Sequence, residues 1–375
     1  MRLNFFVGLQ TILITTMIAI MGSIAALAQE AKVDRPFYRG VDISMLPVLE
    51  AAGAKFGEPG RSADLPKLLA DRGCNLFRLR LFVEPSKDYK GTYGAVQDLP
   101  SMLALAQRIK AAGGTLLLDL HYSDTWADPE HQAKPRAWAE LHGADLEKRV
   151  EAYTIETLGA FKAAGAMPEM VQVGNEIAPG MLWPDGKLAG DAPGPWAKLA
   201  GLLNAGIRGV RAAQDPAKPI RVMIHIHGGG RPGLPGWFFG QLTKHVADYD
   251  VIGLSFYPGN EETLGALRDN MAALARRFDR DVLVVETAYP NAPIKELKAG
   301  ELTWPATPQG QKDFLLTLRR TLAEVPNGHG IGFAYWYPEA IKLPNLWTWR
   351  EGRLALFDEK GTPLPGLEAY SRQLP

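Results

Sequence analysis

Cysteine is all but missing from this chain of 375 residues, with Cys74 the only one. No intrachain disulfide can form, so the fold must stand on its apolar core. The thiol sits in Gly73-Cys74-Asn75-Leu76-Phe77, just ahead of an apolar run. A small buried side chain is expected there rather than a reactive nucleophile. An excess of charge of either sign is missing too: 41 Lys and Arg balance 41 Asp and Glu, and no basic run appears. That argues against nucleic acid as a partner, and a neutral sugar polymer fits such a balance. The phosphate-binding loop is absent, since Gly228-Gly229-Gly230 lacks the lysine and the strand-to-helix setting. So is the Gly-x-Ser-x-Gly elbow of serine hydrolases.

Long apolar runs are confined to the start. Arg2 precedes an apolar stretch from about Phe5 to Met21, broken by Gln10, Thr11, Thr15 and Thr16. Ala26-Leu27-Ala28 then supplies small residues. A positive start, a short apolar centre and a small-residue end read as a signal peptide over 1–28. A lipoprotein would need a cysteine near the cut. Export to the periplasm or the medium is therefore expected, with residues 29–375 as one catalytic domain. No later stretch reaches 18 uninterrupted apolar residues, so no membrane contact is expected of the mature form, and a monomer is the expected state.

What the chain does have is alternation. Short runs rich in Val, Ile, Leu and Phe lie near 38–43, 75–81, 115–121, 169–174, 219–225, 250–256, 281–286 and 331–336. They lack the polar alternation of a half-exposed sheet, as strands covered on both faces do. Helical patterns fall between them, over 64–71, 101–112, 145–164, 196–213, 263–277 and 310–325. Gly113-Gly114 makes a helix stop. Eight strands joined by helices predict an α/β fold: a (β/α)8 TIM barrel, one domain with extended loops after the strands. The longest loops, 122–144, 175–195, 287–309 and 337–360, all follow a strand, on the face where barrel active sites form.

The carboxyl ends of the strands carry polar residues: Asp42, Arg78 with Arg80, His121, Asn175 with Glu176, His225, Tyr257, Glu286 and Trp336. In a barrel these ends converge. A carboxylate at the end of a buried strand is partly desolvated, which raises its pKa and suits a general acid. Taken alone, Glu176 could equally be a helix-start acid satisfied by backbone N–H groups. Glu286, ending the seventh strand, changes the balance, because two acids at one mouth can flank one glycosidic bond. Arg78 could hold Glu286 ionised and Tyr257 could donate to it. Asn175 could donate to a sugar hydroxyl, while Asp42 and His121 could bind hydroxyls or orient neighbours. For Arg80 a salt bridge closing the barrel is the simpler expectation. Trp126, Trp183 and Trp336 offer flat apolar faces for sugar rings, whereas Trp138 is expected only to pack. His225-Ile226-His227 has the spacing of a zinc pair, but alternate residues of a strand share a face and no further ligand pattern accompanies it. Neither metal nor cofactor is expected.

The ordered set of motifs Gly40-Val41-Asp42-Ile43-Ser44, Asn75-Leu76-Phe77-Arg78-Leu79-Arg80, Asp119-Leu120-His121-Tyr122-Ser123-Asp124-Thr125-Trp126-Ala127-Asp128-Pro129, Val171-Gln172-Val173-Gly174-Asn175-Glu176-Ile177, Leu182-Trp183-Pro184-Asp185-Gly186, Val285-Glu286-Thr287-Ala288-Tyr289-Pro290 and Leu356-Phe357-Asp358 resembles the arabinogalactan endo-β-1,4-galactanases of glycoside hydrolase family 53. The likeness runs from about Tyr38 to Leu367. It implies a retaining hydrolase with Glu176 as acid/base, Glu286 as nucleophile and Asn175 near the substrate. The implied substrate is β-1,4-galactan, the side chain of type I arabinogalactan and pectin. Another endo-glycanase of the same clan, acting on mannan, xylan or glucan, and a barrel that binds glycans without cutting them remain the alternatives.

Two stretches depart from the family. Phe256-Tyr257-Pro258-Gly259-Asn260-Glu261-Glu262 replaces its Tyr-Tyr-Pro and Trp-His-Gly. Tyr335-Trp336-Tyr337-Pro338-Glu339-Ala340 replaces its Tyr-Trp-Glu-Pro. Some members carry structural calcium in a late loop, whose ligands find no match here.

Overall fold

Eight parallel strands close on themselves in a computed structural model that describes residues 35–259, 262–295 and 302–373. The expected signal peptide lies outside the described residues. The strands are β1 (Tyr38–Asp42), β2 (Leu76–Leu81), β3 (Thr115–Leu120), β4 (Met170–Val173), β5 (Arg221–Ile226), β6 (Val251–Phe256), β7 (Asp281–Thr287) and β8 (Gly330–Trp336). Each pairs with its neighbours in sequence, and β8 pairs with β1 to close the ring, Tyr38 facing Gly332 and Asp42 facing Trp336. Glycine is required at that seam: a Cβ on Gly332, whose φ is +136°, would stand 2.0 Å from the Tyr38 carbonyl oxygen.

The helices are α1 (Leu46–Ala51), α2 (Leu65–Asp71), α3 (Leu99–Ala111), α4 (Gly143–Ala163), α5 (Pro193–Ala213), α6 (Leu234–Leu242), α7 (Leu264–Phe278) and α8 (Pro308–Ala323). Their starts follow capping chemistry. Asp98 accepts from the Ser101 N–H at 3.0 Å ahead of α3, and Thr307 from the Gly310 N–H at 3.1 Å ahead of α8, which opens on Pro308. α3 stops where Gly113 takes φ +79°. The (β/α)8 barrel expected from the strand pattern is the fold observed. The short helices α1 and α6 and the hairpin of Phe56–Glu58 with Arg61–Ala63 are additions that the periodicity did not signal.

Side chains facing outward from the strands meet the helices in one large apolar core. A second, separate cluster takes residues from every strand: Tyr38, Leu76, Leu117, Met170, Met223, Val251, Leu283, Val285 and Ile331. This is the floor of the barrel interior. Two residues further along four strands, the same inward position is polar: Leu76 gives way to Arg78, Leu117 to Asp119, Met170 to Gln172 and Met223 to His225. Side chains alternate across a strand, so the polar layer stacks directly above the apolar one. Among the described residues no helix is long and apolar enough to cross a membrane.

Candidate active site

The polar layer is organised by Arg78. Its side chain is fully buried, and three carboxylates surround it: Asp42 at 3.0 Å, Asp119 at 2.7 Å and Glu286 at 2.8 Å. Burial opposes the guanidinium charge, but Asp119, Glu286 and Asp42 together outweigh it and keep the group charged. Asp119 is itself held by Gln172 at 2.6 Å and His121 at 2.9 Å. Neither Asp119 nor Gln172 was singled out from the sequence. The signal was there, as a polar residue inside each of the apolar runs TLLLDL and MVQV.

Glu286 stands near the end of β7, where the pairing with β6 slips by one residue between Leu254 and Ser255. Besides Arg78 it meets the hydroxyl of Tyr257, which donates to Oε2 at 3.2 Å. Burial raises the Glu286 pKa and Arg78 opposes that shift. Glu176 lies in the turn after β4, with φ +48° two residues beyond Gly174 at φ +82°. A non-glycine residue in that region is strained by about 1–3 kcal/mol, of the kind stored at functional sites. The Glu176 carboxyl meets Ser255 Oγ at 2.6 Å. Burial, and then the nearby Glu286, push its pKa up to about 8. Among the described residues no cation stands within ion-pair distance of it. Both acids line one cleft of about 330 Å³, a size within the range of small-molecule sites.

The same cleft is lined by Arg78, Arg80, His121, Trp126, Asn175, Tyr257 and Trp336. Asn175 is locked in place: its Nδ2 donates to the Ala127 carbonyl at 2.7 Å and its Oδ1 accepts from Arg78 at 2.8 Å. His121 Nδ1 accepts the Ala127 N–H at 3.1 Å. Trp126 and Trp336 meet edge to face, 6.1 Å between centroids, and Trp349 packs on Trp336 at 4.7 Å. Arg80 does bridge Asp42, at 3.1 Å, as expected. It also lies over the Trp126 ring at 4.7 Å and the Tyr337 ring at 5.4 Å, so it supports the aromatic wall as well. Tyr93, Ala127, Asp128, Trp347 and Trp349 complete the lining. Tyr93 was missed because it lies inside the loop 82–98, away from any strand end.

Three of the expected residues do not line the cleft. Asp42 is fully buried beneath the cleft, spent on Arg78, Arg80 and the Ser44 hydroxyl at 2.6 Å, so it orients neighbours and offers nothing to a sugar. His225 is fully buried behind Glu176, with Nδ1 at 2.9 Å from Asn175 and Nε2 at 2.8 Å from Ser255. Both ring nitrogens are thus taken by protein groups. Trp183 is not among the residues lining the cleft; its Nε1 donates to the Pro179 carbonyl at 3.1 Å and Lys187 covers its ring at 4.1 Å. Trp138 is buried against Tyr153, as expected. Among the described residues no group of three or more His, Cys, Asp or Glu side chains is placed to hold a metal. In the second departing stretch, Tyr337 packs on Trp336 at 4.3 Å while Glu339 is fully buried beneath, accepting the Met45 N–H at 3.2 Å.

Against known proteins, the model of Glycosyl hydrolase family 53 matches residues 38–370. An arabinogalactan endo-beta-1,4-galactanase of Cellvibrio japonicus is 36% identical over 342 residues, covering 88% of each chain. Among solved structures, the GH53 catalytic domain of Ignisphaera aggregans superposes with a TM-score of 0.80 at 33% identity, covering 89% of this chain and 95% of that one. A fungal beta-1,4-galactanase gives 0.77 at 31% identity, covering 90% and 99%.

Proposed function

Because this chain belongs to glycosyl hydrolase family 53, we propose that it is an endo-acting β-1,4-galactanase whose Glu286 attacks and whose Glu176 supplies and recovers the proton. The observation that carries this reading is the contrast between two acids facing one cleft. Glu286 touches a buried guanidinium, which opposes the rise that burial imposes on its pKa. Among the described residues Glu176 has no such partner at ion-pair distance, and burial and Glu286 push its pKa up to about 8. Opposed environments are what a nucleophile and a general acid require.

In the first step Glu286 forms a bond to the anomeric carbon as the glycosidic C–O bond breaks, and Glu176 delivers its proton to the departing oxygen. In the second, Glu176 takes a proton from water. The water oxygen displaces Glu286, and the β configuration returns. Arg78 receives the Glu286 carboxylate after each turnover. The wall of Trp126, Trp336 and Trp349 gives sugar rings flat faces to lie on, and the chain needs no organic cofactor for this chemistry. The relatives named for galactanase activity support galactan as the substrate. The stretch from Arg2 to Ala28 supports export to the periplasm or medium, where the mature chain would act as a monomer.

The test is product analysis on linear β-1,4-galactan beside mannan, xylan, β-glucan, arabinan and β-1,3-galactan, with the first-formed anomer followed by proton NMR. Short galacto-oligosaccharides in the β form are expected. Preferred release from another polymer would overturn the substrate, and an α-anomer would overturn the mechanism.

A further inference from the structure

The hydrogen bonds behind Glu176 can be oriented one atom at a time, because two partners admit a single orientation. Asn175 Nδ2 faces the Ala127 carbonyl oxygen at 2.7 Å. Arg78 Nη2, which can only donate, reaches Asn175 Oδ1 at 2.8 Å. The amide is therefore fixed with its oxygen toward His225, whose Nδ1 lies 2.9 Å away. An amide oxygen only accepts, so Nδ1 carries a hydrogen. The Glu176 backbone N–H also faces Nδ1, but at 3.4 Å, and the shorter contact has the stronger claim.

The His225 ring is fully buried, and burial, followed by Arg78, His121 and His227, pushes its pKa well below the usual range. The ring is neutral, so Nε2 is bare and accepts. Ser255 Oγ lies 2.8 Å from Nε2, so its one hydrogen points at His225. Only lone pairs remain on Oγ to meet Glu176 Oε1 at 2.6 Å. The hydrogen in that last bond must come from Glu176.

We propose that Asn175, His225 and Ser255 form a one-way hydrogen-bond relay, anchored by Arg78, that presents Glu176 with an acceptor and so holds its carboxyl in the acid form. This rests on the reading of Glu176 as acid/base. His225 and Ser255 are positioning residues, set behind Glu176. One guanidinium then biases the two glutamates in opposite directions: Nη1 favours the Glu286 carboxylate at 2.8 Å, while Nη2 sets the polarity of the relay that favours the Glu176 acid. Of the other groups facing Glu176, Glu286 and Asp128 also favour the acid, Arg78 acting directly favours the carboxylate, and a Ser255 that donated to Glu176 would favour the carboxylate too. Tyr257 also stands close to both glutamates. If Ser255 instead turned its hydrogen to Glu176, His225 would have to donate through Nε2. A bare Nδ1 would then face the Asn175 oxygen, two acceptors in contact.

The two orientations differ in sign on one measurement. With the relay, Ser255→Ala removes the acceptor of the Glu176 proton, and the basic limb of kcat/KM moves down by about one pH unit, the size of one hydrogen bond. If Ser255 were a donor to the carboxylate, the same change would move that limb up. Ser255→Thr, which keeps the hydroxyl, restores the limb. An upward or absent shift in the alanine variant overturns the proposal. Nitrogen-15 NMR of histidine-labelled protein, with His225 assigned from the His225→Gln spectrum, supplies a second readout without substrate. A protonated Nδ1 and bare Nε2 are expected, and the opposite tautomer overturns the relay. Absence of galactan cleavage by the wild type would overturn the substrate reading alone, since the tautomer is measured independently.

Discussion

Leu117 and Asp119 lie two residues apart on β3, both fully buried and both inside the barrel, yet they serve different ends. Leu117 belongs to the floor, where burying such a side chain contributes roughly 1.5–3 kcal/mol. Asp119 belongs to the mouth, where an uncompensated buried carboxylate would cost several kcal/mol. It is tolerated because Arg78, Gln172 and His121 all reach it within 3 Å. The floor stabilises without chemistry. The mouth accepts desolvated charge so that Glu176 and Glu286 meet a substrate in different protonation states. Proteins commonly give up stability at such sites.

The contrast is broken most severely by Glu286→Gln. With the nucleophile gone, kcat should fall by roughly 10⁴ or more, while the urea midpoint stays level or rises. Removing a carboxyl that burial already pushes toward its neutral form relieves the fold, and Arg78 keeps Asp42 and Asp119 as partners. Near-normal turnover in this variant would end the assignment of Glu286. Leu117→Ala is the mirror experiment. It should lower stability by about 2–5 kcal/mol and leave kcat per folded molecule within about twofold. Chemical denaturation and active-site-normalised rates check both halves, and a kcat loss matching the Glu286 variant would mean that floor and mouth are not separable.

Much of this division was readable before any coordinates. Unbroken runs such as Leu116-Leu117-Leu118 have the pattern of strands covered on both faces, and a polar residue ending each run marks the cleft. The sequence pattern put Glu176, Glu286, Arg78 and Tyr257 at strand ends, and they line one cleft because a barrel brings all strand ends to one face. It could not say which strand-end residues look out and which are consumed beneath. Asp42 and His225 end strands as Glu286 does, but their partners, Arg80, Ser44, Asn175 and Ser255, come from other strands or turns. Nor could it show Trp183 turned onto Pro179 and Lys187, since loop conformation depends on contacts that no period encodes. α6 was missed for a related reason: LPGWFFGQL packs by aromatic bulk, with Gly236 and Gly240 inside it.

The gentlest probe of the contrast is pH. In the unfolded chain Glu176 should titrate near ~4.3, whereas in the fold burial and Glu286 push it up to about 8. Between these values the native state holds a proton that the unfolded state has lost, so stability must fall as pH rises. The contribution is fully present below the unfolded pKa and is lost as pH climbs through about 8. Glu286, whose pKa is also raised, acts with the same sign. Glu262 and Glu339, which burial also pushes up, add to the same slope; Glu176→Gln removes one of these groups, so the decline in urea midpoint between pH 5 and 8 should be shallower than in the wild type. Parallel curves would place the extra native proton elsewhere in the mouth and take from Glu176 the property that suits it to be the acid.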